Sequence, residues 1–329
     1  MTDPTPTRRR FRSALAWLIF GLLVVEGLLW LSERFGWFWF NEKKGWTVLI
    51  GVAVVGVEML VMLLWSIVAL VFRWRFQFSI RSLLVLVVAV AIPCSWMAVE
   101  MKEAKEQRNA VEAICNLGGQ IAYDYDESDP REGPRGPTWL RKLLEDDFFN
   151  DVYNATVRSN AQIEQLKGLP QLKRLWLGGY RFPPTECGEI TDAGLARVAA
   201  LTQLKVLVMW GTNVTDDGLA NLARLKQLEN LSIDSTHVTD AGLVHIAGLA
   251  QLRILTVGQT QVTDTGLAYL AGLGLLQELS LDDTLVTDAG LTHLARLVRL
   301  RKLSLAGTKV SDAGVKKLQQ ALPNCTIER

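Results

Sequence analysis

A repeat of 24 residues, running from residue 190 to residue 329, constrains the fold of this chain more than any other feature. Five units follow one another in register and a shortened sixth closes the series: ITDAGLARVAALTQLKVLVMWGTN, VTDDGLANLARLKQLENLSIDSTH, VTDAGLVHIAGLAQLRILTVGQTQ, VTDTGLAYLAGLGLLQELSLDDTL, VTDAGLTHLARLVRLRKLSLAGTK and VSDAGVKKLQQALPNCTIER. A fixed period of this length indicates one supersecondary unit per repeat, stacked so that neighbours share a continuous apolar core. A diverged copy at 166–180 precedes the series and is followed by an insertion around RFPPTECG.

Each unit contains an L-x-x-L-x-L segment, which predicts a strand, and a T-D-x-G-L segment, which predicts the start of a helix. This combination is typical of leucine-rich repeats, which are α/β solenoids with a parallel concave sheet and convex helices. The Thr or Ser lies at the expected helix N-cap, and the Asp after it would meet the positive end of the helix dipole. A second series of threonines is expected to hydrogen-bond between repeats: Thr212, Thr236, Thr260, Thr284 and Thr308.

Alternate residues of the predicted strands point away from the core, onto the concave face of the sheet. The early strands carry large apolar residues there and the later ones carry acidic residues, so we predict these partner-binding residues: Trp176, Val206, Val208, Trp210, Asp234, Ile254, Glu278 and Asp282. Tryptophan is enriched at interface hot spots, which favours an unidentified protein or peptide partner, and the acidic residues favour a basic stretch on it. In the alternative interpretation, Trp176 and Trp210 pack against the N-terminal cap or the insertion.

Three long apolar runs precede the repeats, at 14–31, 46–72 and 82–99. A helix that crosses a bilayer needs about 20 apolar residues, so the sequence predicts three N-terminal transmembrane α-helices before the solenoid. Four arginines precede the first run, which places the N-terminus in the cytoplasm. With three spans, the protein is then a multi-pass protein of the cytoplasmic membrane with its repeats on the extracytoplasmic side.

Two acidic residues, Glu26 and Glu58, lie near the middle of the first two apolar runs. An intramembrane carboxyl is a candidate for proton relay or cation binding, so one alternative is sensing or transport with the repeats as a regulatory module. A neutral Glu that hydrogen-bonds and fixes helix packing explains the same residues. A self-associating structural protein of the cell envelope is a further alternative.

Composition argues against several other functions. Thirty-five basic residues face 34 acidic ones, which gives no overall positive field for nucleic acid. The four cysteines lie far apart and there are three histidines, so no metal site or cofactor is predicted. The Asp of each T-D-x-G-L segment could suggest calcium, but carboxylates at helix starts need no metal to explain them. We find no motif for phosphate binding, a serine nucleophile or zinc catalysis, so the sequence predicts a protein that is not an enzyme.

The sequence predicts five segments along the chain. They are a basic N-terminus (1–13), a membrane domain (14–99), a stalk helix with a short strand and loop (100–137), an N-terminal cap (138–165), and the repeats with their C-terminal cap (166–329).

The repeat units are similar to the cysteine-containing leucine-rich repeats of F-box-associated proteins, which also read I-T-D-x-G-L-x-x-L. The segments RFQFSIRSLLVLVVAVAI, GGQIAYDYD and LPNCTIER resemble the membrane-anchored leucine-rich repeat proteins of planctomycete bacteria. These resemblances imply the solenoid fold and a membrane anchor. They imply no ubiquitin-ligase role and no chemistry for particular residues.

Overall fold

The computed structural model describes residues 53, 56, 80–123, 141–142, 146–178 and 190–329. It divides into two compact units, Met1–Lys105 with Tyr125–Asn150, and Glu106–Asp124 with Asp151–Arg329. Helix α1, Ile80–Asn116, contributes residues to both units. The predicted cap at 138–165 also falls across this division, because its residues from 151 onward belong to the second unit.

The first unit contains a small aromatic cluster. Phe148 and Phe149 are fully buried, with their ring centroids 5.0 Å apart in an edge-to-face arrangement, and Phe148 ends a 3₁₀ turn, Asp146–Phe148. They pack with Ala104 of α1, and Trp96 and Met97 border the cluster.

Of the three predicted membrane spans, only the third lies within the described residues. Those at 14–31 and 46–72, with Glu26 and Glu58, lie outside the described residues except for Ala53 and Gly56. The predicted span at 82–99 falls within α1, which continues without a break into the charged segment MKEAKEQRN. Among the described residues, no helix is both long enough and apolar enough to cross a membrane, so this third span is not supported.

The second unit contains a sheet in which the described strands are hydrogen-bonded in chain order. Strands β1 and β2 are antiparallel and all later neighbours are parallel, as stacked strand-and-helix units require. The strands are β1 Gln120–Tyr123, β2 Val152–Val157, β3 Arg174–Leu177, β4 Val206–Val208, β5 Asn230–Ser232, β6 Ile254–Thr256, β7 Glu278–Ser280, β8 Lys302–Ser304 and β9 Thr326–Glu328.

Short helices connect successive parallel strands. They are α2 Asn160–Gln165, α3 Asp192–Val198, α4 Asp216–Ala220, α5 Asp240–Ile246, α6 Asp264–Leu270, α7 Leu291–Leu294 and α8 Asp312–Ala321, with 3₁₀ turns at Leu166–Gly168 and Asn221–Arg224. The predicted leucine-rich-repeat-like α/β solenoid with a parallel sheet is therefore confirmed.

One leucine per strand forms the centre of the core. Leu175, Leu207, Leu231 and Leu255 are aligned on neighbouring strands and are each 0% exposed. Burying a side chain of this size contributes about 1.5–3 kcal/mol, so one such residue in every repeat makes the stack cooperative between neighbours.

Helix α1 ends at a glycine pair. Gly118 has φ +81°, a backbone conformation that glycine adopts more readily than other residues. Its N–H donates to the Cys115 carbonyl, and the N–H of Gly119 donates to the Ile114 carbonyl, both at 2.9 Å. This pair of bonds is the Schellman motif, and it turns the chain directly into β1.

The structure adds a repeat that the sequence analysis had treated as part of the cap. Strand β2 pairs in parallel with β3, and α2 begins after the N-cap Ser159, whose side chain forms a capping box with Gln162. The sequence contains a signal for this repeat. Ser159 and Asn160 are followed by apolar residues at intervals of three, and each of these matches an apolar residue of the next unit 32 positions later: Ile163, Leu166, Leu169 and Leu172.

Candidate binding surface on the open sheet face

The face of the sheet opposite the leucine core, called here the open face, carries aligned columns of side chains. The first column is Asn154, Arg174, Val206, Asn230, Ile254, Glu278 and Lys302, and the second is Thr156, Trp176, Val208, Ser232, Thr256, Ser280 and Ser304. A third column lies just after the C-terminal ends of the strands: Gly178, Trp210, Asp234, Gly258, Asp282 and Ala306. Backbone hydrogen bonds align it, for example from the Gly211 N–H to the Asp234 carbonyl.

Four predicted site residues lie together in these columns, and we call Trp176, Val206, Val208 and Trp210 the apolar patch. Trp176 is the partner of Val208 across neighbouring strands, and Val206 adjoins Arg174. All four side chains are half-buried, where the sequence analysis expected them to be exposed. Strands only about 4.8 Å apart explain the difference, because large side chains on adjacent strands cover one another.

Ile254 was also predicted to be a partner-binding residue, and in the first column Asn230 separates it from Val206. Two strand spacings put its backbone about 10 Å from that of Val206. Its side chain is half-buried on β6.

Arg174 borders the apolar patch, and the sequence analysis did not identify it as a functional residue. Its guanidinium carbon lies 4.9 Å from the ring centroid of Trp176 and 5.8 Å from that of Tyr153. Both distances are within the range of a cation–π interaction. Asn154 is the neighbour of Arg174 across β2 and β3, and Lys173 also lies over the Tyr153 ring, at 5.9 Å. An arginine two residues before a tryptophan in a strand was the available signal.

Asp234 accepts three hydrogen bonds from its own sheet. Its carboxylate binds the Gly258 N–H at 2.7 Å, the Ser232 hydroxyl at 2.6 Å and the Thr256 hydroxyl. Both Gly258 and Thr256 belong to the next repeat, so the residue predicted to meet a partner also connects repeats.

Asp282 repeats this arrangement two repeats later. It accepts from the Ala306 N–H at 2.9 Å, the Ser304 hydroxyl at 2.6 Å and the Ser280 hydroxyl at 3.0 Å. Glu278 differs, since it is exposed and no hydrogen bond or ion pair reaches its side chain from the described residues.

The T-D-x-G-L aspartates connect successive repeats on the helix side. The carboxylate of Asp216 accepts the Thr239 N–H at 2.8 Å and its hydroxyl at 2.6 Å, and the same pair of bonds recurs in each repeat. We call this series the aspartate ladder: Asp192 to Thr215, Asp216 to Thr239, Asp240 to Thr263, Asp264 to Thr287, and Asp288 to Ser311. Asn160 takes the place of the aspartate before Thr191: its Oδ1 accepts the Thr191 N–H at 3.4 Å, but its amide group donates to the Thr191 hydroxyl at 2.9 Å. Arg329 pairs with Asp312 at the other end.

The ladder lowers the pKa of one of its carboxyls, Asp288. The Ser311 hydroxyl is the largest cause, followed by the Ser311 backbone N–H, because both donate to the charged form. The ladder therefore accounts for these acidic residues by hydrogen bonding. Among the described residues, no group of three or more His, Cys, Asp or Glu side chains is placed to hold a metal ion.

The second series of threonines has a different role from the one predicted. The hydroxyl of Thr236 donates to the Ile233 carbonyl at 2.6 Å, within the same repeat. Four equivalents do the same: Thr212 to Met209, Thr260 to Val257, Thr284 to Leu281 and Thr308 to Leu305. The expected hydrogen bonds between repeats are therefore wrong for this series, because the hydroxyl lies nearest the carbonyl three residues before it and closes its own turn.

Comparison with known proteins gives one family match. Residues 300–318 match the family model described as Leucine Rich repeat. No curated protein matches the chain.

Several solved structures are similar to the chain. An internalin, InlF, from Listeria monocytogenes is 20% identical with a TM-score of 0.37 over 50% of this chain and 49% of its own. Internalin C2 from the same organism is 27% identical, with a TM-score of 0.38 over 54% of this chain and 79% of its own. A leucine-rich repeat protein of Leptospira interrogans is 19% identical, with a TM-score of 0.37 over 50% of this chain and 39% of its own. The chain thus spans about half the length of the first of these.

The family match covers β8 and the first part of α8, where Leu300, Leu303, Leu305 and Leu318 are buried. The matched residues and the repeated geometry agree. The chain carries leucine-rich repeats.

Proposed function

We propose that this chain is a membrane-anchored, non-enzymatic leucine-rich repeat protein that binds a protein or peptide on the open face of its sheet. The apolar patch is the observation that carries the proposal. Trp176 and Val208 are partners on neighbouring strands, and Val206 and Trp210 lie two residues to either side of Val208, on a face whose other outward residues are mostly small or polar. A contiguous apolar surface with a polar surround is typical of an interaction site, and tryptophan is enriched at hot spots.

The strands support this function because they hold the patch in one conformation. Val206 and Val208 are short, β-branched side chains on a strand that is hydrogen-bonded on both sides. A partner would therefore order few additional side chains on binding, which reduces the entropic cost of association.

We propose that a basic stretch of the partner lies over the later repeats. Glu278 is exposed, and the carboxyl groups of Asp234 and Asp282 lie on the same face, where their oxygens accept internal hydrogen bonds. Such charges act mainly on the rate of association and its dependence on salt.

A photocrosslinking amino acid tests the binding face in the full-length chain in its native cells. Placed at position 208, it should give a discrete crosslinked product that disappears in a Trp210→Ala background. The same amino acid at position 244, on the exposed surface of α5, is the matched control and should give no such product. Equal products from both positions, or a product unaffected by Trp210→Ala, would contradict the assignment of the face.

Thermal unfolding of Trp210→Ala separates binding from packing. Loss of a hot-spot tryptophan costs about 2 kcal/mol or more in binding, without a matching loss of folding stability. If the variant unfolds early while the folded fraction crosslinks normally, Trp210 packs within the domain and the partner lies elsewhere.

The proposed anchor lies in the apolar runs at 14–31 and 46–72, each interrupted by one acidic residue. We propose that the repeats lie on the extracytoplasmic side of the cytoplasmic membrane. With the arginine-rich N-terminus in the cytoplasm, this requires that only one of the two runs crosses the bilayer, since two crossings would return the repeats to the cytoplasmic side. A reporter that works only after export, fused after Arg329, should be active. Activity of a cytoplasm-dependent reporter in that position would contradict the proposal.

A further inference from the structure

Two aromatic rings lie against the Arg174 guanidinium, and no described residue supplies it with an anionic partner. Its side chain is half-buried on β3, and the rings of Trp176 and Tyr153 lie 4.9 and 5.8 Å from its central carbon. Within the parts of the chain that the structure describes, no ion pair joins Arg174 to a carboxylate, and its buried Nε has no hydrogen-bond acceptor.

Two buried polar atoms beside the patch find no partner among the described residues. The Nε of Arg174 is a donor that has no acceptor there, and the Oδ1 of Asn154, on the adjoining strand, is an acceptor that has no donor there. Most buried polar atoms in folded proteins have a partner, and each one that lacks it costs about 1–3 kcal/mol. Because both atoms are buried, a ligand that brings one acceptor and one donor satisfies them only when the two side chains turn toward the open face.

The local charge favours an acidic acceptor. Lys173 lies over the other part of the Tyr153 ring, 5.9 Å from its centroid, and adds a second positive charge next to Arg174. A guanidinium is planar and presents paired N–H donors that match the two oxygens of a carboxylate. Aromatic stacking restricts the guanidinium beforehand, so that less side-chain freedom is lost on pairing.

We propose that Arg174 binds a carboxylate of the partner, which is a peptide with an acidic group next to an apolar side chain. The carboxylate pairs with Arg174, the N–H of the same residue donates to Asn154, and the apolar side chain lies on the patch. This inference rests on the proposed function, since it names the chemistry of the ligand at the same face. It also sets the direction of the peptide, with its acidic group at β2 and β3 and its basic stretch toward β7.

Two small compounds test the inference on the full-length chain in lipid nanodiscs. N-acetyl-leucine carries a carboxylate, an N–H and an apolar side chain, and N-acetyl-leucinamide replaces the carboxylate with a neutral amide. Dissociation constants come from titrations followed by NMR. The wild-type chain should bind the carboxylate about tenfold more tightly than the amide, the difference expected for a charge-assisted bidentate pair. Equal affinities, or no binding of N-acetyl-leucine, would overturn the inference.

Three variants assign the effect to Arg174. Arg174→Gln should remove the preference for the carboxylate and leave the affinity for the amide unchanged. Arg174→Lys should restore part of the preference, because a lysine keeps the charge but not the paired donors. Arg253→Gln removes a cation that instead pairs with Glu229, and should behave like wild type. A preference that survives in Arg174→Gln would overturn the inference, as would its loss in Arg253→Gln.

Trp210→Ala distinguishes failure of this inference from failure of the proposed function. If both compounds bind equally and both weaken in Trp210→Ala, the apolar patch binds ligands and Arg174 only packs against Trp176. If Trp210→Ala leaves the affinity for both compounds unchanged, the patch itself is not the binding site.

Discussion

Asp216 accepts both the backbone N–H and the hydroxyl of Thr239, at 2.8 and 2.6 Å, and so joins one repeat to the next. The two residues are 23 positions apart in the chain, and the same relationship recurs along the solenoid. A motif that resembles a helix start is therefore also a connection between repeats.

Replacing Asp216 by Ala should lower the free energy of unfolding by about 2 kcal/mol, because the Thr239 N–H and hydroxyl lose their acceptor. Asp217 is the matched control, since it lies in the first turn of the same helix but is exposed and is not part of the ladder. Asp217→Ala should change stability by less than about 0.5 kcal/mol. Urea unfolding measures both. Equal losses would show that the aspartates act through the helix dipole instead.

The glycine of the motif should be required by the aspartate of the preceding repeat. A Cβ at Gly266 would lie 2.3 Å from Oδ1 of Asp240, whereas one at Gly272 would meet nothing within 4 Å. Gly266→Ala should therefore destabilise the protein and Gly272→Ala should not. The double variant Asp240→Ala, Gly266→Ala should lose less stability than the sum of the single variants. Each single change already disrupts the hydrogen bonds between Asp240 and Thr263, so the second change has less to remove. Strictly additive losses would contradict this coupling.

A left-handed residue follows each third-column position from Trp210 to Ala306. Gly211 has φ +69° with open space around its Cβ position, and Asp283 has φ +54°. Gly211→Ala should cost about 1 kcal/mol from backbone strain alone. Asp283→Gly should stabilise the protein by up to about 1 kcal/mol for the same reason. Thermal unfolding measures the change in stability of both variants. A higher unfolding temperature for Gly211→Ala than for wild type would contradict this prediction.

Acid should weaken the ladder at Asp288. Its pKa is lowered in the folded state by the Ser311 hydroxyl and N–H, so the folded state binds a proton there less readily than the unfolded chain. The stabilisation is complete above the ordinary carboxyl pKa and is lost as the pH falls below about 4 toward the folded-state value. Asp288→Asn should therefore show a smaller loss of stability than wild type between pH 6 and pH 3 in urea unfolding. An identical pH dependence would exclude this contribution.

Cys325 should resist alkylation in the folded protein. Burial raises the pKa of its thiol, which reduces the thiolate available for reaction, whereas Cys115 is exposed. Iodoacetamide at neutral pH should label Cys115 first and Cys325 only after unfolding, as measured by mass spectrometry of peptides. Labelling of both at the same rate would mean that the last repeat opens readily.

The period of 24 residues determined the repeat architecture from the sequence alone. Leucines in L-x-x-L-x-L spacing can all be buried only if the strands stack in register, so Leu231 and Leu255 were predictable as core. The outward positions of each strand followed from the same alternation, which is why Trp176 and Val208 could be predicted to lie on one face.

The tertiary structure decided what the polar residues contact. From the sequence, Asp216 was predicted to meet the helix dipole and Asp234 to meet a partner, but each also accepts hydrogen bonds from the next repeat, 22 to 24 residues away. The Thr236 hydroxyl was expected to reach across repeats and instead bonds within its own turn. Hydrogen-bond partners depend on distances of a few tenths of an ångström between side chains remote in sequence. The period determined which residues are stacked, but only the folded spacing determined which of their atoms meet.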